Sequence, residues 1–166
     1  YLRQNSIMAA VPPNVEVSIV PAPTTYRKTI LRNLWLGRTG DDTQKSLLEV
    51  AKFGHYVVVN WTVFEGEGNG AKLVARGQGS TICAGSWIST YVIVFVDGRF
   101  KGSTLQVMGN ALGVNGQLAV TGGTGEFALA SGIIKVDFDK LTGVDHLTVE
   151  VYTPVFLGPC YAAAEN

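Results

Sequence analysis

Glycine-centred turn signals divide most of this chain into short apolar segments, each as long as a β-strand. Asp97-Gly98 and Asn115-Gly116 favour the positive φ angles of tight hairpin turns, and glycine clusters lie at residues 66–70 and 122–125. The strand-like segments are residues 28–36, 56–64, 73–83, 87–96, 103–108, 117–120, 127–136 and 147–156. About eight strands at hairpin spacing predict an all-β protein, an antiparallel barrel or sandwich. An eight-stranded barrel is favoured because closure removes exposed sheet edges.

Length and charge narrow the class of protein further. The 166 residues suit one domain. Thirteen basic side chains balance thirteen acidic ones, so the chain lacks the basic excess that nucleic acids or anionic membranes attract. No apolar run approaches the roughly 18 residues needed to cross a bilayer. We therefore expect neither a nucleic-acid partner nor a membrane partner.

The ends of the chain differ in composition from its centre. Residues 1–7 are predicted to be an expression stub ahead of Met8, and the proline-rich residues 8–27 an extended arm over the domain. The barrel is expected at residues 28–158, and residues 159–166 are interpreted as the start of a linker. Helical spacing occurs at residues 41–52. Because no secretory signal is recognised, we expect a cytoplasmic protein in which both cysteines are reduced.

Two patterns that could indicate a cofactor or a metal are better explained as ordinary features of a β-protein. The glycine cluster before Glu126 superficially fits a dinucleotide-binding fingerprint, but a strand rather than a helix is expected after it. His55 and His146 are far apart, without the spacing of a metal-binding motif. The sequence therefore predicts no cofactor, no bound metal and no catalytic residues.

Trp61 is the centre of the most suggestive polar and aromatic cluster. Asn60 and Thr62 flank it, and an acidic, glycine-rich loop follows. An indole beside neutral hydrogen-bonding groups suits a sugar, whose C–H face stacks on the ring while its hydroxyls bond to amides and carboxylates. Tryptophan in a strand is more often a core residue, so that alternative stays open. Glu126, where a glycine turn enters an apolar strand, is expected at a barrel mouth.

Four motifs in order resemble those of the plant dirigent proteins, over residues 31–155. These are Phe53-Gly54 with the strand running to Glu65-Gly66, Val74-Ala75-Arg76-Gly77-Gln78-Gly79, Gly102-Ser103-Thr104-Leu105, and Val120-Thr121-Gly122-Gly123-Thr124-Gly125-Glu126-Phe127. The resemblance implies an eight-stranded antiparallel barrel that assembles as a homotrimer. It also implies an interior pocket, lined by acids and an arginine, that steers phenoxy-radical coupling or quinone-methide chemistry.

The sequence departs from the family pattern at the positions that carry this chemistry. The family's acid after Phe-Gly is His55 here, and its paired acids correspond to Asn60 and Trp61. The expected arginine is Ser131, whereas the acid after the glycine motif is kept as Glu126. Losing the arginine removes a charge-assisted donor for a quinone-methide oxygen. The divergent pocket resembles the dirigent-like part of monocot chimeric jacalins, plant defence proteins in which a jacalin-type lectin domain follows.

These observations lead to three hypotheses. The first is a non-catalytic barrel that binds carbohydrate, with galactose-type oligosaccharides as the weakly favoured ligands. Its predicted ligand-binding residues are Trp61, Asn60, Thr62 and Glu126, with His55 and Trp35 as lesser candidates. The second is a dirigent-type enzyme with Glu126 as the acid and Tyr56 or Tyr91 as a donor. The third is a structural trimerisation or interaction module.

Overall fold

The protein is an antiparallel β-barrel closed by eight strands, with one short additional strand. The computed structural model describes residues 25–38, 44–46, 53–110 and 116–156. The strands are β1 Thr25–Gly37, β2 Gln44–Ser46, β3 Tyr56–Glu65, β4 Lys72–Cys83, β5 Trp87–Phe95, β6 Thr104–Asn110, β7 Gly116–Thr124, β8 Ser131–Asp139 and β9 Val144–Val155. Single 3₁₀ turns form at Gly68–Gly70 and Gly125–Phe127. The predicted all-β barrel is confirmed.

Consecutive strands from β3 to β9 pair as neighbours, and β1 closes the ring by pairing with both β9 and β3. On β3, β1 occupies the half from Thr62 to Glu65, and β2 occupies residues 57–59 along the same edge. The additional strand β2 therefore continues the wall where β1 ends. This position brings the side chains of Gln44 and Ser46 to the lining of an interior cavity.

The structure differs from the sequence prediction in several places. Residues 44–46 form a strand, so the helical spacing at residues 41–52 was misleading there; the rest of that segment lies outside the described residues. β1 begins at Thr25, inside the predicted arm. Gly125–Phe127 forms a 3₁₀ turn that buries the Phe127 ring against Phe95 and Phe100, so β8 starts at Ser131 rather than at residue 127. The predicted stub, most of the arm and the linker lie outside the described residues.

The core lies inside the barrel and is built by alternation along the strands. In β3, Val57, Val59, Trp61 and Val63 are buried, while the residues between them face outward. Successive side chains of a strand point to opposite faces, so every second residue enters the interior. In β1 the register shifts between Leu31 and Leu34, where Asn33 takes a positive φ of 58° that asparagine tolerates better than most residues.

Antiparallel order divides the barrel into two ends. β1, β4, β6 and β8 finish at the end where β3, β5, β7 and β9 begin, and His55 immediately precedes β3 there. We call this the His55 end. The opposite end carries the turn between β7 and β8 with Glu126, and we call it the Glu126 end. Across the described residues, no helix is long and apolar enough to cross a membrane.

Gly79 allows β4 and β5 to approach closely beside Tyr91. A Cβ atom at Gly79 would lie 2.3 Å from the Thr90 carbonyl oxygen and 2.6 Å from the Tyr91 Cα. Backbone atoms cannot yield as a flexible side chain does. The pairing of β4 with β5 at this point therefore depends on glycine.

Gly79→Ala is expected to lower the free energy of unfolding by about 1–3 kcal/mol, since overpacking forces the backbone to shift. Gly70→Ala is the control: its Cβ would meet none of the described atoms within 4 Å, and its φ is not positive. Urea denaturation of both variants provides the measurement. Equal stability of the two would contradict the close approach.

Candidate functional site

Strand β3 places the three central candidates on opposite faces of the wall. Trp61 points into the barrel and is buried, whereas Asn60 and Thr62 face outward. Asn60 accepts a hydrogen bond from Gln78 Nε2 at 3.1 Å on the neighbouring strand. Thr62 Oγ1 donates to the Gly37 carbonyl at 3.4 Å. The three neighbours in sequence do not form one binding surface.

Trp61 forms part of the interior wall of the barrel, and little of its surface is exposed. Its side chain is 5% exposed and meets Tyr91 in a T-shaped contact with ring centroids 5.6 Å apart. The Arg38 guanidinium lies 5.2 Å from the indole centroid, and the indole Nε1 donates to Gln44 Oε1 at 3.4 Å. A ligand inside the barrel could contact Trp61, but the protein itself already covers most of the ring.

Glu126 lies at the opposite end of the barrel from His55. Arg27 Nη2 donates to the Glu126 carbonyl at 2.7 Å, and Arg27 Nη1 is 3.4 Å from Oε2 of its carboxylate. The Glu126 backbone N–H donates to Ser103 Oγ at 3.0 Å. Both charged side chains of this pair are exposed. Glu126 is at a barrel mouth, as the sequence suggested, but not at the mouth that Trp61 and His55 share.

His55 and Trp61 line a cavity of about 510 Å³ at the His55 end. The His55 Nε2 is hydrogen-bonded to Ser46 Oγ, and its ring meets Trp87 edge-on at 5.2 Å. Its Nδ1 is buried and has no hydrogen-bond partner among the described residues. The cavity is lined by Arg38, Gln44, Ser46, His55, Val57, Trp61, Thr81, Trp87 and Ser89. The site thus combines two indoles with several neutral hydrogen-bonding groups.

Trp35 belongs to the outer surface. Its ring packs on His146 with centroids 4.6 Å apart, and its Nε1 donates to Asn33 Oδ1 at 3.2 Å. With Thr62 it lines an open outer groove of about 540 Å³. The structure therefore brings Trp35 and Thr62 together outside the barrel, and Trp61 and His55 together inside it. Asn60 and Glu126 join neither pair.

Sequence reasoning missed a partly buried ion pair at the His55 end of the barrel. Arg38 Nε donates to Asp145 Oδ2 at 2.7 Å, and Arg38 Nη2 also contacts that oxygen. The Arg38 guanidinium lies 5.2 Å from the centroid of the Trp61 ring and 5.9 Å from that of the Phe138 ring. Asp145 is only 2% exposed. The overlooked signal was its position in β9: Asp145 lies two residues before Leu147, on the same inward face as the buried Leu147, Val149 and Val151.

Burial determines the protonation of this interior cluster. Desolvation raises the pKa of Asp145 above its ordinary value, and Arg38 opposes that rise by stabilising the carboxylate. Burial also raises the pKa of Tyr91, with a further contribution from the nearby Asp145 charge. Tyr91 is therefore a neutral phenol beside a paired carboxylate. Groups of this kind in a cavity are typical of binding or catalytic sites.

The same shift predicts a pH dependence of stability. A raised carboxyl pKa means that the folded protein binds this proton more tightly than the unfolded chain, in which the ordinary value is 3.8. The stability contributed by Asp145 is thus fully present below that value and is lost as the pH rises through the folded pKa. Relative to Asp145→Asn, the wild-type protein should lose free energy of unfolding as the pH rises above about 4.

Urea denaturation of both proteins at a series of pH values measures this difference. If the wild-type protein instead gains free energy of unfolding relative to Asp145→Asn as the pH rises, the attraction of Arg38 for the carboxylate outweighs the cost of burying it.

A family model described as "Dirigent-like protein" matches residues 37–154. The fold is similar to that of two solved structures, the pterocarpan synthase dirigent proteins GePTS1 and PsPTS1. For GePTS1 the TM-score is 0.64 at 22% identity, covering 83% of this chain and 92% of that one. For PsPTS1 it is 0.62 at 21% identity, covering 82% and 99%. A pyocyanin demethylase is similar at 13% identity with a TM-score of 0.54, covering 75% and 99%. The match over most of the barrel shows that this chain belongs to the dirigent-like protein family.

Proposed function

We propose that this dirigent-like barrel is a binding protein that holds a carbohydrate in the cavity at its His55 end. The observation that carries the proposal is the composition of the cavity wall. Trp61 and Trp87 supply flat apolar surface, and Gln44, Ser46 and Ser89 supply neutral hydrogen-bonding groups. Sugars need this combination, since their C–H faces stack on indoles while their hydroxyls exchange water for protein partners.

Trp87 replaces Trp61 as the main stacking surface in this proposal. Trp87 is only partly buried and packs at the edge of the core, whereas Trp61 is almost fully covered. A galactose-type sugar is the first candidate, because its axial 4-hydroxyl leaves one apolar face free for an indole. Aromatic contacts contribute about 1 kcal/mol each beyond area burial, so we expect a dissociation constant in the high-micromolar to millimolar range, on the order of 10⁻⁴–10⁻³ M.

Weak sites of this kind become effective when several copies are displayed together. We propose a homotrimer, with a jacalin-type lectin domain as a further partner in a plant defence protein. Support for assembly comes from an apolar outer surface on β3, β4 and β6, where Val58, Ile82 and Met108 are each at least 38% exposed. Linked sites could raise apparent affinity by about 10²–10⁴ where their geometry permits.

Glycan-array screening followed by tryptophan-fluorescence titration tests the proposal. Trp87→Ala should weaken binding of the best galactose-type ligand about tenfold or more, because it removes the stacking surface. Trp35→Ala is the matched control: it removes an indole from the outer groove and should leave binding unchanged. The opposite pattern would place the sugar on the outer surface. An array without hits would reject carbohydrate binding.

A second candidate function is dirigent-type chemistry, favoured by the buried Asp145 and Tyr91 and the half-buried Arg38. A carboxyl group with a raised pKa, a guanidinium and a neutral phenol are suited to protonating and orienting a phenolic intermediate. Two proteins with a similar fold, GePTS1 and PsPTS1, are pterocarpan synthases. Chiral chromatography of phenoxy-radical coupling products, formed with and without the protein, tests this alternative. A departure from the racemic mixture would support it, and an unchanged mixture would count against radical steering.

A further inference from the structure

The open groove on the outer surface is lined by two aromatic rings and two carboxylates. Trp35 and Phe64 are direct partners in the pairing of β1 with β3, so their side chains project side by side from the outer face. The turn between β3 and β4 contributes Glu67, and the β8–β9 hairpin contributes Asp139 and Thr142. The volume of this groove is about 540 Å³. We call it the Trp35 groove.

The side-chain hydrogen-bond donors that line the Trp35 groove are all used within the described part of the chain. Trp35 Nε1 donates to an asparagine side chain of β1 at 3.2 Å, and Thr62 Oγ1 donates to the Gly37 carbonyl at 3.4 Å. Thr142 Oγ1 donates to Asp139 Oδ2 at 2.8 Å. The side chains therefore offer a ligand ring faces and carboxylate oxygens, both of which are electrostatically negative.

The two carboxylates give the groove a negative charge. The Glu67 side chain is exposed and has no hydrogen bond or ion pair within the described ranges. A backbone N–H and the Thr142 hydroxyl stabilise the Asp139 carboxylate, and they hold its pKa below the ordinary value. Both groups are thus ionised at neutral pH.

Basic side chains that neighbour the groove in the sequence do not line it. The Lys72 ammonium is paired with the Asp97 carboxylate at 2.9 Å. Arg38 is bound to the buried Asp145. Lys140 follows the β8 strand directly but is not a lining residue. The negative charge of the groove therefore has no compensating cation among the described lining residues, and a cationic ligand fits it best.

The aromatic rings select the kind of cation. A cation is attracted to the face of an aromatic ring, and most strongly to that of tryptophan. A primary ammonium group is strongly hydrated and loses hydrogen bonds to water when it moves onto a ring. An alkylated ammonium group has no such bonds to lose from its methyl surface. A sugar is less suited, because its hydroxyls need donors as well as acceptors from the protein.

We propose that the Trp35 groove binds a quaternary ammonium compound. Its charged head lies against the rings of Trp35 and Phe64 and faces the carboxylates of Glu67 and Asp139. This site is separate from the interior cavity, and the inference does not depend on the proposed binding of carbohydrate there.

Choline and 3,3-dimethyl-1-butanol separate the effect of charge from that of shape, because a carbon atom replaces the nitrogen in the neutral compound. NMR titration of the wild-type protein at low ionic strength should show choline binding about tenfold more tightly, with a shift of the Trp35 indole N–H resonance. Added salt should weaken choline binding, since it screens exposed charges. Equal affinities, or no binding of choline, would overturn the proposal.

Glu67→Gln and Glu67→Asp are a matched pair of variants at an exposed turn residue. Glu67→Gln removes the charge and should lower the affinity for choline about threefold, as expected for an exposed ion pair. Glu67→Asp keeps the charge and should retain most of that affinity. Binding of the neutral alcohol should be the same in both variants. A choline affinity that is unchanged in Glu67→Gln would count decisively against the site.

Trp35→Ala and Trp87→Ala locate the bound cation. Trp35→Ala removes the ring and should abolish the preference for choline, whereas Trp87→Ala alters the interior cavity and should preserve it. Arg38 lines that cavity and opposes the entry of a second cation. Loss of choline binding in Trp87→Ala alone would place the cation inside the barrel and refute the proposal. If Trp35→Ala does not fold, the two probes and the Glu67 variants still decide.

Methyl β-galactoside distinguishes this site from the proposed carbohydrate site. Galactoside binding that Trp87→Ala weakens, without competition against choline, would support two separate sites. Displacement of choline by the galactoside would assign the groove to sugars and overturn the quaternary ammonium proposal. Choline binding without galactoside binding would retain the groove and reject the carbohydrate function.

Discussion

Closure of the sheet by β1 is the constraint on which the rest of this structure depends. By pairing with β9 on one side and with β3 on the other, β1 turns a meander of hairpins into a barrel with an inside and an outside. The two-residue period of a strand then assigns every side chain to one of these spaces. Trp61 goes inside, and its neighbours Asn60 and Thr62 go outside. Side chains that are adjacent in the sequence of a strand therefore lie on opposite faces of the barrel wall.

The barrel could be predicted from sequence because its signals are local. Asp97-Gly98 and the glycine cluster before Glu126 mark turns wherever the rest of the chain lies, and the strands between them alternate visibly. The order of the motifs also indicated the family. β2 was missed because three residues paired along part of β3 leave no periodic signal.

The interior site could not be predicted in the same way, because its members meet across the barrel. Arg38 and Asp145 are 107 residues apart, and their contact depends on the register between β1 and β9. Glu126 follows a recognisable glycine motif, but a turn between β7 and β8 can lie only at the end opposite to His55. That alternation of ends follows from antiparallel order, so the order of the strands in the sequence already predicts it. The other available clue was that Asp145 occupies an inward-facing position of the apolar strand β9.

The family pattern and the structure differ in where they place a positively charged side chain at the barrel pocket. The sequence lacks the family's arginine at Ser131, which suggested a pocket without a cation. The structure nevertheless holds a half-buried guanidinium at the His55 end of the barrel, supplied by Arg38 directly after β1 and anchored by the buried Asp145 of β9. Burying the Asp145 carboxylate costs free energy; Arg38 offsets that cost at Oδ2, whereas Oδ1 has no hydrogen-bond partner among the described residues. Apolar residues of similar volume often stabilise a core as well as a buried ion pair does, so the Arg38–Asp145 pair is weak evidence for stability in itself.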